Sequence, residues 1–251
     1  MLQTVKSGGF RILFRVGGGD GVDLPALFFA LRAGTPERAG VASVRELAGS
    51  TTGAVFLVAM RDGRKLVFKH ERREHHMLDH RVQSFLFGSN TERLIRGLDA
   101  EDRFGKIPAA EVLLVADRRK WGAVTESFLL TEFVEGEILG RLPRYREKYG
   151  NAVAALLARM HAAGIVHGDV HERNFVLRKK ADAAAGGEEV VAIDMSGKRA
   201  TPFTRAEDRI RLEWTFGVKN ARDDWGAKMF LAKRRLRNFV RRLRGKPQLR
   251  A

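Results

Sequence analysis

Residues 165–177 read Ile-Val-His-Gly-Asp-Val-His-Glu-Arg-Asn-Phe-Val-Leu, and they restrict the possible folds of this chain more than any other stretch. Apolar pairs flank a polar loop in which Asp169 and Asn174 stand five residues apart. A second apolar run, Val190-Val191-Ala192-Ile193, has the character of a buried strand and ends in Asp194-Met195-Ser196-Gly197. Between the two runs, residues 179–189 are rich in Ala, Gly and charge, which predicts an exposed hairpin tip. Hairpin strands ending at Asn174 and Asp194 would deliver an amide oxygen and a carboxylate to one point. Asp and Asn are also ordinary turn formers, so a β-hairpin without chemistry is the alternative.

The two stretches, in this order, resemble the H-R-D-x-x-x-x-N and D-F-G elements of protein kinases. Gly168 stands in place of the Arg and His171 follows two residues after the Asp. That variant, H-G-D-x-H-x-x-N, is similar to the loop of small-molecule kinases of the kinase-like superfamily, such as those acting on aminoglycosides and choline. The resemblance implies that Asp169 accepts the proton of an acceptor hydroxyl and that Asn174 and Asp194 hold Mg²⁺. Phosphoryl transfer needs the metal held from two sides, because charge builds on the transferring oxygens and the protein contributes placement and electrostatics.

The remaining chain is read against that loop. Residues 10–16 alternate as a strand and Gly17-Gly18-Gly19-Asp20-Gly21 turns it; no helix carrying Lys and Ser follows, so a Walker A loop is absent. Residues 24–32 predict a short helix closed by Gly34 and stopped by Pro36. Residues 44–69 predict three strands that would roof a nucleotide. Gly49 and Gly53 bracket their first turn, where small residues let backbone N–H groups approach phosphate. The run Val67-Phe68-Lys69 resembles the kinase V-A-I-K strand, with Lys69 as candidate for the α/β-phosphates. Lys65, on the same side of the strand by period-two counting, is the alternative, and a solvated Lys at a strand end is the plain reading. Residues 70–83 hold four of the seven histidines, with His76 and His80 spaced i,i+4; a polar, basic, solvent-facing segment is favoured over a metal site. Asn90-Thr91-Glu92 reads as a helix start. By the kinase resemblance Glu92 is expected to brace Lys69, with Glu101 a poorer rival.

Residues 112–115 and 128–133 predict the last two roof strands, and Glu132-Phe133-Val134-Glu135-Gly136 matches the position of the kinase hinge, so backbone groups of Glu132 and Val134 are expected to meet adenine. Residues 149–163 predict an Ala/Leu-rich helix ending at Gly164. After Asp194 about a dozen residues lead to Ala206-Glu207-Asp208-Arg209 and no A-P-E follows, which argues against a peptide substrate. Asp208 is open between bracing the catalytic-loop backbone and serving as an ordinary acid near a helix start. In the tail, Trp225, Met229, Ala232, Leu236, Phe239, Val240 and Leu243 recur at helical spacing among Lys and Arg. A closing helix with a solvated basic face and an interfacial helix on anionic lipid are both open, and they combine if the first half packs and the second meets lipid.

Composition narrows the classes. The net charge is +16 with a pI near 10.8, a surface that attracts polyanions. No zinc-finger spacing, homeodomain helix or aromatic-basic RNA signature accompanies it, so no nucleic-acid partner is expected. The chain has no cysteine, which excludes disulfides and thiolate metal sites. Residues 1–9 lack the apolar stretch of a secretory signal.

Assembled, the chain resembles the lipopolysaccharide core heptose kinases, in particular the heptose(II) kinases. The resemblance is carried by residues 88–94 (Gly-Ser-Asn-Thr-Glu-Arg-Leu), 132–136, 167–175, 193–198 and 207–213, together with the basic C-terminus. Residues 1–45 match poorly. The resemblance implies an α+β, bilobal protein-kinase-like fold: a small β-rich N-lobe at 1–133 and a mainly helical C-lobe at 134–251 carrying the catalytic loop. It implies ATP and Mg²⁺, a heptose of the inner core of lipopolysaccharide as acceptor, a Gram-negative host, and a place on the cytoplasmic face of the inner membrane, against an anionic membrane surface. Lys198, Arg199 and the basic tail are expected to meet phosphate or Kdo carboxylates on that acceptor. Kinases of another sugar or of an antibiotic, and a pseudokinase scaffold, are the alternatives.

Overall fold

A computed structural model describes residues 1–17, 21–50, 53–72, 89–99, 107–179, 187–219, 224–243, 245 and 247. The chain divides into two compact units, Met1–Glu135 and Gly136–Ala251.

The first unit is a seven-stranded sheet in the order β1-β2-β6-β7-β5-β4-β3. Its strands are β1 (Leu2–Ser7), β2 (Phe10–Arg15), β3 (Val41–Ser50), β4 (Gly53–Met60), β5 (Lys65–Arg72), β6 (Val112–Lys120) and β7 (Ala123–Glu132). Every pairing is antiparallel; β1–β2, β3–β4–β5 and β6–β7 are consecutive in the chain, whereas β2 with β6 and β5 with β7 pair across long connections. Helix α1 (Leu24–Ala33) sits between β2 and β3 in the chain. Asp23 caps it by accepting from the Ala26 N–H at 3.0 Å, Pro25 fits its first turn, and Gly34 ends it in the left-handed conformation. Leu24, Leu27 and Phe28 of α1 pack on inward residues of β2, β4, β5, β6 and β7. Phe10, Phe28, Phe68 and Phe128 meet there, with centroids 5.2–5.8 Å apart in edge and stacked contacts, and the His70 ring stacks on Phe128 at 4.2 Å. Helix α2 (Asn90–Asp99) buries Leu94, Ile95 and Leu98 and contacts β6.

The second unit is mainly helical. Helix α3 (Tyr145–Ala162) buries Val153, Leu156, Leu157 and Met160. A three-stranded sheet follows, in the order β10-β9-β8, from β8 (Glu137–Ile138), β9 (Phe175–Lys179) and β10 (Glu188–Ala192). Helix α4 (Pro202–Phe216) carries a capping box between Thr201 and Thr204, and α5 (Trp225–Leu243) packs on it through Ala227 and Phe230 against Ala206 and Ile210. Among the described residues no helix is long and apolar enough to cross a membrane.

Two features depart from the sequence expectations, and some expectations fall outside the described residues. Residues 2–7 form β1, whose side chains are almost all exposed, so no hydrophobic alternation marks it. β6 and β7 run on into a hairpin turned by Trp121 and Gly122, both at positive φ. The predicted nucleotide turn is described only at its ends, Ser50 and Gly53, and His75, His76, His80 and Glu101 lie outside the described residues.

Candidate active site

Asp169, Asn174 and Asp194 are held together in the second unit by backbone geometry. After α3, Gly164 reverses the chain and Ile165 bridges to Arg199. The loop from His167 to His171 enters a single 3₁₀ turn, Glu172–Asn174, closed by an Asn174 N–H bond to the His171 carbonyl at 2.9 Å. The Asn174 Nδ2 donates to the Asp169 carbonyl at 2.9 Å and to its Oδ2 at 3.2 Å. The Ile193 N–H donates to the Asn174 carbonyl at 2.9 Å, which docks the end of β10, and with it Asp194, beside Asn174. Asp194 itself has φ 54°, a left-handed conformation that Asp tolerates better than most residues and that cores of this kind hold at functional turns.

Gly168 is required where it stands. Its φ is 76°, and a Cβ there would overlap the Ser196 hydroxyl, with the Ser196 Cβ only 2.8 Å away. The loop of Asp169 and the loop after Asp194 therefore pack backbone to side chain, joined further by the Ser196 N–H bond to the His167 carbonyl at 2.9 Å.

Asp208 of α4 settles its open reading. It is fully buried; Oδ2 accepts from the His167 N–H and Oδ1 from the Gly168 N–H, each at 2.8 Å, and His161 Nε2 lies 3.0 Å from Oδ2. It braces the loop backbone at His167 and Gly168, the first of its two open readings.

His167 is fully buried beside it. Burial pushes its imidazole below the ordinary value, against the charges of Asp208, Asp169 and Asp194, which pull it up. The unfolded chain therefore takes up a proton near pH 6.5, the ordinary value, that the folded chain refuses. The stability contributed by this group is complete above that pH and falls as pH drops below it, by up to about 1.4 kcal/mol per pH unit. Urea midpoints between pH 7.5 and 5.5 should fall more steeply for the native chain than for His167→Gln, and equal slopes would refute the assignment.

Two further residues reach the same place: Arg211, which was not singled out for chemistry, and Lys198, which was expected to meet an anion of the acceptor. Arg211 of α4 donates from Nη1 to Asp169 Oδ1 at 2.6 Å and from Nη2 to Glu207 Oε1 at 2.9 Å. Lys198 Nζ donates to the Gly168 carbonyl at 3.2 Å and to Glu207 Oε2 at 3.4 Å. Arg211 lay within the quoted segment 207–213, and its i,i+4 spacing from Glu207 was the available signal. Arg199 is exposed, and its carbonyl accepts from Thr204 Oγ1.

In the first unit, Lys69 lies on β5 between Val55 of β4 and Leu129 of β7, and its ammonium pairs with Glu71 at 3.3 Å. The expected Lys69–Glu92 pair is not formed. Glu92 meets Arg11 and Arg96 at 3.1 Å and Arg119 at 3.5 Å. A carboxylate at the start of α2, 15% exposed among three guanidiniums, is fully compensated there. Buried Asp117 of β6 holds the same helix start: it accepts from Ser127 Oγ at 2.6 Å and from Thr91 Oγ1 at 3.4 Å, while Ser89 Oγ accepts from the Glu92 N–H at 3.3 Å. Lys65, the alternative to Lys69, pairs instead with Glu135 at 2.7 Å.

Gly53 is needed by the sheet, since a Cβ would stand 2.6 Å from the His70 carbonyl. Gly49 faces only the flexible Glu46 side chain. Glu132 spends its N–H on the Glu111 carbonyl at 3.0 Å and its Oε1 on the Glu111 N–H at 3.1 Å. Val134 is buried, and its N–H forms no bond within the described residues. A cavity of about 570 Å³ lies beside Glu132 and Phe133, lined also by Met1, Arg15, Lys65 and Glu111. Neither Lys69 nor Gly49, Gly53 or Val134 lines it.

Asn174 and Asp194 suit Mg²⁺ as donors. Both are hard oxygen ligands, and with Nδ2 of Asn174 committed to Asp169 its Oδ1 is turned away from that carboxylate. Mg²⁺ is commonly held by one or two protein groups plus phosphates and water, so the pair needs no third acid. Among the described residues no cluster of three His, Cys, Asp or Glu side chains converges as a metal site.

The chain matches the model of the lipopolysaccharide core biosynthesis proteins (WaaY) over residues 43–246. It is 32% identical over 165 residues to the lipopolysaccharide core heptose(II) kinase WaaY of Escherichia coli (strain K12), covering 66% of this chain and 68% of that protein. A second Escherichia coli protein of the same name is 28% identical over 165 residues, with the same coverage. Among solved structures, the Rio2 kinase from Chaetomium thermophilum aligns with a TM-score of 0.51 at 17% identity, covering 91% of this chain and 72% of that one. Its ADP/Mg²⁺-phosphoaspartate complex aligns with a TM-score of 0.50 at 17% identity, covering 91% of this chain and 70% of that one. These structures show the fold: it is α+β and protein-kinase-like, as the sequence led us to expect.

Proposed function

The chain belongs to the family of lipopolysaccharide core biosynthesis proteins (WaaY), and from that premise we propose that it transfers the γ-phosphoryl group of ATP to a heptose hydroxyl of the lipopolysaccharide core. The observation that carries this reading is the joint anchoring of Asp169, Asn174 and Asp194 by Asp208 and by the Asn174–Ile193 backbone bond. A carboxylate base and two oxygen ligands on two loops tied to each other are what phosphoryl transfer asks of a protein.

Asp169 accepts the proton of the attacking hydroxyl and aims its oxygen in line with the γ-phosphorus. Asn174, by donating to Asp169, fixes the carboxylate plane while presenting its own Oδ1 to the cation. Asn174 Oδ1 and the Asp194 carboxylate are the residues that would hold Mg²⁺. When bound, that ion supplies neutralisation of the charge shared by the β- and γ-phosphates. In the first unit, Lys69 is the candidate for the α/β-phosphates and the Val134 N–H for the adenine edge. Among the described residues Glu71, a carboxylate that Lys69 meets, is the candidate for the bracing role first given to Glu92.

The acceptor is lipid-linked, and α5 fits work at the cytoplasmic surface of the inner membrane. Trp225, Met229, Leu236, Phe239, Val240 and Leu243 are 37–71% exposed. At 100° per residue they share a stripe about 100° wide, with Lys233 on one flank and Lys228, Arg235 and Arg242 on the other. Cations beside an exposed apolar stripe match the chemistry of an anionic bilayer surface.

The test is transfer of label from γ-labelled ATP by purified protein with Mg²⁺. The acceptor is lipopolysaccharide from a strain lacking this enzyme, carried in vesicles with and without anionic lipid. Label should appear on heptose, faster in anionic vesicles, and a Leu236→Ser/Phe239→Ser variant should lose that acceleration while keeping transfer to free core oligosaccharide. Label on another sugar would replace the acceptor; no label on any sugar would overturn the reading.

A further inference from the structure

The proton-accepting oxygen of Asp169 is already taken. Arg211 Nη1 sits 2.6 Å from Oδ1, the oxygen left over once Asn174 has claimed Oδ2. An acceptor hydroxyl cannot reach Oδ1 in line while a guanidinium occupies it. Arg211 must therefore give up Asp169 during turnover, and something must take its charge.

The surroundings hold more cation than they can compensate. Glu207, 8% exposed, is shared between Arg211 at 2.9 Å and Lys198 at 3.4 Å. Arg234 reaches in from α5 with its guanidinium 4.2 Å above the Trp214 ring, and among the described residues no carboxylate stands at ion-pair distance from it. Burial, and then the charges of Arg211 and Arg237, hold the Arg234 guanidinium below its ordinary value, with Glu207 opposing. Three cations, Lys198, Arg211 and Arg234, thus gather around Glu207, with Asp169 beside Arg211 as the second carboxylate. Committing Asp169 to a hydroxyl proton leaves one. A partly buried array of like charges costs free energy unless an anion joins it.

We infer that Lys198, Arg211 and Arg234 form a subsite for an anionic group of the acceptor, a phosphate or a carboxylate near the hydroxyl that is phosphorylated, and that its arrival draws Arg211 off Asp169. The planar guanidiniums suit a phosphate or carboxylate gripped by two N–H donors, and the Trp214 face keeps Arg234 oriented for it. An acceptor lacking the anion leaves Arg211 on the base and reacts slowly. Selectivity for a charged acceptor is then built into the state of Asp169 as well as into affinity. This inference rests on the proposed kinase reading and on Asp169 as its base.

The experiment compares three acceptors: core oligosaccharide from a strain lacking the enzyme, the same after phosphatase removal of its phosphomonoesters, and the same after reduction of its carboxyl groups. For the native chain, kcat/KM should fall by about 10–100-fold with one of the two treatments, which identifies the anion. Arg234→Gln should lower kcat/KM for the intact acceptor by a similar factor and leave the sensitive treated acceptor within about twofold. Arg211→Gln should lose the discrimination and raise kcat for the treated acceptor severalfold, because the base is no longer masked. Equal rates on all three acceptors would overturn the subsite and leave the kinase reading intact. Failure of the native chain to phosphorylate any heptose acceptor would overturn both. If Arg211→Gln changed the KM for ATP and the acceptor-free hydrolysis while discrimination persisted, the guanidinium would belong to the nucleotide and the inference would fall. Should Arg211→Gln not fold, as judged by circular dichroism, Arg234→Gln decides alone.

Discussion

Replacing Asp169 by alanine is expected to lower phosphoryl transfer by about 10³-fold while ATP affinity stays within about twofold. The two effects separate because of where the carboxylate sits. It is 54% exposed, so its removal opens no cavity and should change stability by no more than about 0.5 kcal/mol. Its two side-chain interactions are replaceable in the folded state: Arg211 keeps Glu207, and Asn174 keeps the Asp169 backbone carbonyl. What alanine cannot supply is a proton acceptor in line with the attacking oxygen. Asp169→Asn, which preserves shape and removes the basic oxygen, should lose nearly as much. Rates measured with saturating ATP and acceptor, beside nucleotide affinity by calorimetry, check both halves. Turnover within fivefold of the native chain for Asp169→Ala would remove Asp169 from the mechanism.

The elements of the site that were legible in the sequence are the local ones. The loop from Asp169 to Asn174 and the Asp194 turn could be read because strand, turn and polar residue follow one another within a few positions, with a short charged link between the two strands. α1 was legible for the same reason: its cap, first-turn Pro and terminal Gly are contiguous. Partner choice across long sequence separations was not legible. Glu92 was matched with Lys69 by analogy, yet its guanidinium partners include Arg11, 81 residues away, and Arg119, 27 residues away. In a chain with 46 Lys and Arg, spacing cannot tell which cation wins a given carboxylate. Asp117 escaped notice because its role depends on Thr91 and Ser127 meeting it in the fold. β1 escaped because a strand exposed on nearly all positions has no periodic signature. Arg211 was visible as an i,i+4 partner of Glu207; its contact with Asp169, 42 residues back, required the fold.

The largest structural effect is expected at Asp208, and its argument joins the two kinds of information. Its carboxylate is fully buried and serves as sole acceptor, through separate oxygens, for the N–H groups of His167 and Gly168. Alanine there leaves two buried donors unpaired at a position sealed from water, together with His161 Nε2. Loss of a buried charged acceptor of this kind costs about 3–5 kcal/mol. Gly168 already sits at φ 76° against Ser196, which constrains the loop backbone at the two amides. The cost should therefore appear first as opening of the loop and only secondarily as unfolding of α3 and α4, whose apolar contacts are untouched. Hydrogen exchange gives the direct readout: protection of the His167 and Gly168 amides should fall by about 10²–10³-fold in Asp208→Ala, while amides in the middle of α3 change far less. Transfer should fall at least 10²-fold, since Asp169 is the next residue along the loosened backbone. Asp208→Asn is the sharper probe. It preserves volume and one acceptor oxygen, but turns an NH₂ toward one of the two amides, so one protection factor should survive and the other collapse. If both amides stay protected in Asp208→Ala, the loop is held by something other than this carboxylate, and the alignment of Asp169 with it.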